Sequence, residues 1–223
     1  MKKLLVLLTA SVFAACSTHA TVVNVSGANG EQTLAQITAG TTIDIAGGQL
    51  VSDSYFTAPS LAANMVIEIA GYAPNNTFGI FEQGNIANKL EVFAGSAAAG
   101  VSTGLINLPL GWTSFGFYLS NTAANFIWYS DASLNANGGL DHFVTYQGIA
   151  GQTMTASGIT FGSNDYLIGI EDQNLGDYDY NDMVVKVHLT PVPTQHSVPD
   201  SGATVALMGV GLCAVAALRR RRQ

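Results

Sequence analysis

Met183-Val184-Val185-Lys186-Val187-His188-Leu189 alternates with a period of two. Met183, Val185, Val187 and Leu189 share one face, and Lys186 and His188 share the other with Val184. Such a run is a strand with one face turned to a core. Eight further short apolar or alternating runs, separated by Gly, Asn and Ser clusters, read the same way: 42–46, 65–70, 77–82, 89–94, 114–120, 126–130, 142–147 and 166–170. The one helix expected is short, at 32–38, and Pro191-Val-Pro193 closes the domain. Residues 21–190 suffice for one domain with a sizeable core. So many short strands predict an all-β fold, an antiparallel two-sheet sandwich of jelly-roll type.

Immediately upstream of Met183, the chain crowds Glu171, Asp172, Asp177, Asp179 and Asp182 together with the carboxamides of Asn174 and Asn181. No Lys or Arg follows them until Lys186. Carboxylates about 6 Å apart repel by roughly 1–3 kcal/mol at the dielectrics of a protein surface. Five of them need full solvation, raised pKa values or a cation. Oxygen ligands without Cys or His suit Ca2+ better than zinc or copper. Strand-like alternation would place Asp177, Asp179 and Asn181 on one side and Tyr178 and Tyr180 on the other. The expected ligands are Asp177, Asp179, Asn181 and either Asp182 or Glu171, with Asp172 close by. Asp131 and Asp141 are weaker contributors from neighbouring loops. An EF-hand is excluded, because its sixth and twelfth positions counted from Asp177 hold Asp182 and His188 rather than Gly and Glu. The competing reading is a solvated acidic turn.

The two ends carry targeting signals. Met1-Lys2-Lys3, an apolar run over 4–15 and the small-x-small pattern Thr18-His19-Ala20 read as a secretory signal peptide, residues 1–20. Cleavage before Cys16, with lipidation, is the alternative. Residues 203–218 are uncharged and would span about 24 Å as a helix, a short transmembrane helix against a core of about 30 Å. The following Arg219, Arg220, Arg221 and Arg222 stop transfer and stay cytoplasmic, so the preceding domain is outside. Residues 191–202 form a linker ending in Val198, Pro199, Asp200, Ser201 and Gly202.

Motif, apolar span and arginine-rich tail in this order resemble the VPDSG-CTERM sorting signal of bacterial exported proteins, a PEP-CTERM-like signal. The resemblance implies an exosortase-type membrane transpeptidase as partner, cutting at or near the motif to release or re-anchor the ectodomain. It also implies a producer that makes extracellular polysaccharide. A second resemblance spans 105–189. Its blocks are Phe115-Gly-Phe-Tyr-Leu119; Tyr129-Ser-Asp-Ala-Ser-Leu-Asn135 with Leu140-Asp-His142; and Ile168-Gly-Ile-Glu-Asp172 with Gly176-Asp-Tyr-Asp-Tyr-Asn-Asp182. These look like the extracellular family catalogued as domain of unknown function 4114, whose acidic motif is suspected of binding calcium. Residues 21–104 lie outside it, either supplying the remaining strands or forming a separate half.

Of the eight Lys and Arg, only Lys89 and Lys186 lie between the ends, and of the fifteen acids only Asp200 lies beyond them, so residues 21–198 carry a charge near −12. That excludes nucleic acid and anionic lipid as partners and favours cations or neutral glycans. Both cysteines, Cys16 and Cys213, belong to the targeting segments, leaving the domain without a disulfide. No catalytic residues are expected. Nucleophile-elbow and H-E-x-x-H motifs are absent, and Asp141 and His142, adjacent in a strand, point to opposite faces. His142 is expected to bond a backbone carbonyl. The expected function is that of an envelope or extracellular-matrix protein with a structural calcium site. The alternative is a calcium-dependent glycan-binding module, with Trp112, Trp128, Tyr129 and Tyr146 stacking on sugar rings. A polysaccharide hydrolase, with two acids facing across a cleft, is the third possibility.

Overall fold

The computed structural model describes residues 22–25, 30–69, 73–94, 97–173, 175 and 177–192. Its strands are β1 (Ser60–Glu68), β2 (Asn76–Glu82), β3 (Asn85–Phe93), β4 (Ile106–Asn107), β5 (Phe115–Asn121), β6 (Phe126–Tyr129), β7 (Phe143–Gln147), β8 (Asp165–Ile170) and β9 (Met183–Leu189). They form two sheets, one ordered β4-β1-β9-β8-β7 and the other β3-β2-β5-β6, with every pairing antiparallel. The chain is an all-β sandwich.

β9 behaves as its alternation requires. Met183, Val185, Val187 and Leu189 enter the core between the sheets with Leu61 and Met65 of β1, Phe78 and Ile80 of β2, Phe115 and Phe117 of β5, and Ile168 and Ile170 of β8. Each large apolar side chain buried there stabilises by roughly 1.5–3 kcal/mol. Val184 turns outward into a second apolar cluster that covers this face of the sheet, with Leu34, Ile37, Val144, Tyr146, Met154, Phe161, Leu175 and Tyr180. Leu34 and Ile37 come from the short helix α1 (Leu34–Ile37), whose N-terminus Thr33 closes as a capping box with Gln36.

Residues outside the family resemblance build both sheets. β1 pairs with β9 from Leu61↔Leu189 to Glu68↔Met183, and β2 pairs with β5 from Asn76↔Asn121 to Glu82↔Phe115. The strand expected at 42–46 is not formed. Asp44 Oδ1 accepts the amide hydrogens of Ala46 and Gly47, both at 3.0 Å, and a turn that consumes those donors cannot join a ladder. β4, two residues long, has no periodicity to announce it. Among the described residues no helix is long and apolar enough to cross a membrane. The signal peptide, the sorting motif, the apolar span at 203–218 and the arginine tail lie outside the described residues.

Candidate metal centre

β8 and β9 are neighbours, and the acidic segment is the connection between them. Its neck is pinned at two levels. The Glu171 amide donates to the His142 carbonyl at 3.0 Å, extending the β7–β8 ladder by one step. The Asp172 amide donates to Asp182 Oδ2 at 2.8 Å, so a side chain closes the next rung. Beyond the neck the backbone is not strand-like. Leu175, Tyr178 and Tyr180 adopt φ of 47°, 59° and 54°, a left-handed conformation that non-glycine residues hold only when surroundings over-determine it. Two side chains do so here. Leu175 and Tyr180 are 4% and 0% exposed in the outer apolar cluster, and the Tyr180 hydroxyl donates to the Asp141 carbonyl at 2.8 Å. At Gly169, opposite, a Cβ would sit 2.7 Å from the Tyr180 carbonyl, so glycine is what lets the loop lie down on β8.

The expected alternation is thereby corrected. Tyr178 is 41% exposed and Tyr180 fully buried, so the two do not share a side, because left-handed residues break the period of two. The acids converge nonetheless. Glu171, Asp177 and Asp179 each offer an oxygen, all within 4.8 Å of one another. Burial, and then the charges of Asp182 and Asp177, push Glu171 up to about 9. Burial and then Asp177 push Asp179 to about 6. Asp182 is raised to about 6 and Asp172 is raised as well, each chiefly by burial. Both lysines of the described residues are engaged elsewhere. Lys186 pairs with Asp165 at 2.9 Å, and Lys89 lies over the rings of Tyr118 and Tyr129.

The remaining candidates take distinct places. Asn181 donates through Nδ2 to Asp179 Oδ2 at 3.0 Å and to the Gln32 carbonyl at 2.8 Å, and its Oδ1 is buried without a hydrogen-bond partner. Asp182 is held at the neck. Asp172 turns the other way and accepts from Asn76 Nδ2 at 3.1 Å, while its Oδ1 has no partner. Glu68 lies in the same field, raised to about 7 by burial despite a contact to Asn76 and further by the charge of Asp172. Glu68 and Asn76, at the ends of β1 and β2, carry no sequence signal; only the pairings of those strands with β9 and β5 bring them here. Asp131 and Asp141 are not among the converging oxygens; the leading charge on Asp141 is Asp53.

His142 takes the role expected of it. Its ring stacks on Trp128 at 4.0 Å and 5°, Nδ1 lies 2.8 Å from the Glu171 carbonyl, and Nε2 lies 2.7 Å from Asn137 Nδ2. Burial lowers it to about 4, so the ring is neutral, donating from Nδ1. Trp128, Tyr129 and Tyr146 are 8%, 5% and 0% exposed, and Trp112 is half-buried against the core, so these four form no open platform for sugars. A groove of about 330 Å³ beside α1 is lined by Gln32, Ile37, Val66, Ile67, Ala156 and Ser157 among others, with no carboxylate.

Two comparisons bear on this geometry. Residues 197–222 match the VPDSG-CTERM motif, and residues 100–190 match the family described as domain of unknown function (DUF4114). No curated protein matches the chain. The second match takes in β4 to β9 and the acidic loop, while β1 to β3 lie outside it. The first makes this an exported protein of the cell envelope or extracellular space, and implies processing by an exosortase-type enzyme.

Proposed function

We propose that this exported protein is a non-catalytic component of the cell envelope or extracellular matrix whose sandwich is locked by one calcium ion in the β8–β9 loop. The observation that carries the reading is the convergence of Glu171, Asp177 and Asp179 oxygens within 4.8 Å. The donor set fits. It is all oxygen, it has no neighbouring base, and the buried Asn181 Oδ1 awaits a partner. Glu171, Asp177, Asp179 and Asn181 would hold the ion, which when bound supplies the positive charge the loop lacks. Asp182 and Asp172 keep the neck closed behind them.

The sorting signal supports a processing route. Residues 1–20 are removed on export, residues 203–218 hold the precursor in the membrane, and cutting near Val198, Pro199, Asp200, Ser201 and Gly202 releases or re-anchors the domain. The chain's crossings between sheets, β1 to β2 and β6 to β7 among them, fit a jelly-roll type of closure.

Titration of the purified protein with calcium chloride, followed by calorimetry and thermal unfolding, tests the site. A ligand that binds only the folded loop stabilises by RT ln(1 + [L]/Kd), about 2.7 kcal/mol at a hundredfold excess over Kd. That corresponds to a rise in Tm of about 5–10 °C for a domain of this size. Magnesium should substitute poorly, because it prefers a smaller octahedral shell and keeps its waters. No binding heat and an unchanged Tm in millimolar calcium would reduce the loop to a solvated turn.

A further inference from the structure

The two open sheets have four edge strands, β4 and β7 in one and β3 and β6 in the other. An edge presents unpaired N–H and C=O groups, a template for another strand unless something closes it. The chain closes three of its edges itself. β4 is two residues long. β7 is covered by the segment around Gln49, which bridges Tyr146, while the Leu50 amide donates to the Thr145 carbonyl at 2.9 Å. β6 is four residues long, and the Asn135 carboxamide takes the groups at its end. The Tyr129 amide donates to Asn135 Oδ1 at 2.7 Å, and Asn135 Nδ2 donates to the Tyr129 carbonyl at 3.1 Å.

β3 is left open. It is nine residues long, pairs with β2 alone, and exposes Asn85 to Lys89 and Glu91. Among the described residues, no bond to the backbone of Lys89, Leu90 or Glu91 comes from any element other than β2. Irregularities of register at Phe78/Gly79 and Phe81/Glu82 flank a regular stretch, in which Lys89, Leu90 and Glu91 stand opposite Phe81, Ile80 and Gly79. A lysine that projects past an edge strand guards it. Here the Lys89 ammonium is drawn back across the outer face of its own sheet. It lies 5.9 and 5.6 Å from the ring centres of Tyr118 in β5 and Tyr129 in β6, and donates to the Ile86 carbonyl at 2.6 Å. Glu91 shares that face, since burial and then its charge push Tyr118 up to about 12.

The charges of the strand say what fits it. Within a domain of charge near −12, β3 carries one lysine and one glutamate and is itself neutral. The two flank Leu90 and leave the strand on the same side. When a copy of the strand is turned about a two-fold axis at Leu90, each lysine meets the glutamate of the other copy. The contacts are reciprocal, as a two-fold interface requires. Leu90, half-buried against the core, meets its counterpart at the axis. A parallel, in-register copy would instead set like charges opposite each other, which is destabilising.

We propose that β3 pairs antiparallel with β3 of a second copy of this chain, centred on Leu90, so that Lys89 of each copy faces Glu91 of the other. Two four-stranded sheets then become one continuous sheet, and two exported domains are joined edge to edge. No residue of the acidic loop takes part, so the pairing does not depend on calcium.

Sedimentation of the purified protein over a concentration series measures the pairing. Wild type should pass from monomer to dimer as concentration rises. Lys89→Glu and Glu91→Lys each set like charges opposite one another twice in the dimer, and each should weaken it by about tenfold or more. Mixed together, the two single variants should pair, because every cross-strand contact is then of opposite sign. The double variant Lys89→Glu/Glu91→Lys should dimerise as wild type does. A purely structural role of Lys89 over its two rings would give neither recovery. Thermal unfolding checks that each variant is folded, and Glu91→Lys, which leaves that seat intact, carries the test alone if Lys89→Glu is not. A wild type still monomeric at millimolar concentration would overturn the proposal and leave the edge to a strand of another protein. A dimer that Glu91→Lys retains in full lies elsewhere on the surface and would overturn it too. So would a loss in both folded single variants that neither mixing nor the double variant restores.

Discussion

Asp165 and Asp179 are both 1% exposed, yet their carboxyls are driven in opposite directions. Burial alone would raise Asp165, but the Gly162 amide, Lys186 at 2.9 Å and His188 at 2.6 Å together hold it below the usual carboxylate range. Asp179 has no base and is raised by burial and by Asp177. Replacing Asp179 with Ala should therefore abolish most of the calcium-induced rise in Tm. The calcium-free fold should be unharmed or slightly firmer, because repulsion is relieved; thermal unfolding with and without chelator measures both. The same shifts set a pH dependence. Glu171 moves from 4.5 to about 9, and Asp179 from 3.8 to about 6, so the folded state holds these protons more tightly than the unfolded chain. Their contribution is complete below about pH 4 and is lost as pH rises through the folded values. In chelator, Tm should fall between about pH 4 and pH 9. In calcium the slope should flatten, since the ion competes with protons for the same oxygens. A Tm in chelator that climbs over this range would contradict the buried, unpaired state of these acids.

β9 shows what an element can and cannot announce. Its period of two placed four side chains in the inter-sheet core, because alternation is a local property of extended backbone. Val185 is 0% exposed, so Val185→Asp would bury an unpaired charge and should cost about 3–5 kcal/mol. Chemical denaturation measures the loss; wild-type stability in this variant would remove β9 from the core. The loop before β9 was legible in composition but not in shape. Its alternation of Asp and Tyr suggested an extended course, but Tyr178 and Tyr180 are left-handed, and the loop is anchored through Leu175 and Tyr180 on side chains distant in sequence, Leu34 and Tyr146 among them. At 42–46 a strand-like pattern yielded to the turn made by Asp44, a local competition that hydrophobic patterning does not weigh.

For the whole molecule, the sorting reading predicts a specific mass. In a host with the matching enzyme, the envelope form should lack residues 1–20 and everything beyond a cut near residues 198–202. Intact-mass analysis checks this. A chain that retains Arg219, Arg220, Arg221 and Arg222 would count against it, and a lipid on Cys16 would establish the lipoprotein route. By itself the sequence determined the all-β class, the core face of β9, the domain's excess of acid and the sorting signal. Each of these is written in local periodicity, composition or contiguous motif. Tertiary structure alone decided which acids meet. Glu171 joins Asp177 and Asp179, while Asp182 is spent at the neck. Asp172 turns to Asn76, and Asp141 is raised first by burial and then by the charge of Asp53, 88 positions away in the chain. The physical reason is that a carboxylate's neighbours are set by strand pairing and by packing across the sandwich, and no spacing along one strand encodes what another strand brings to it.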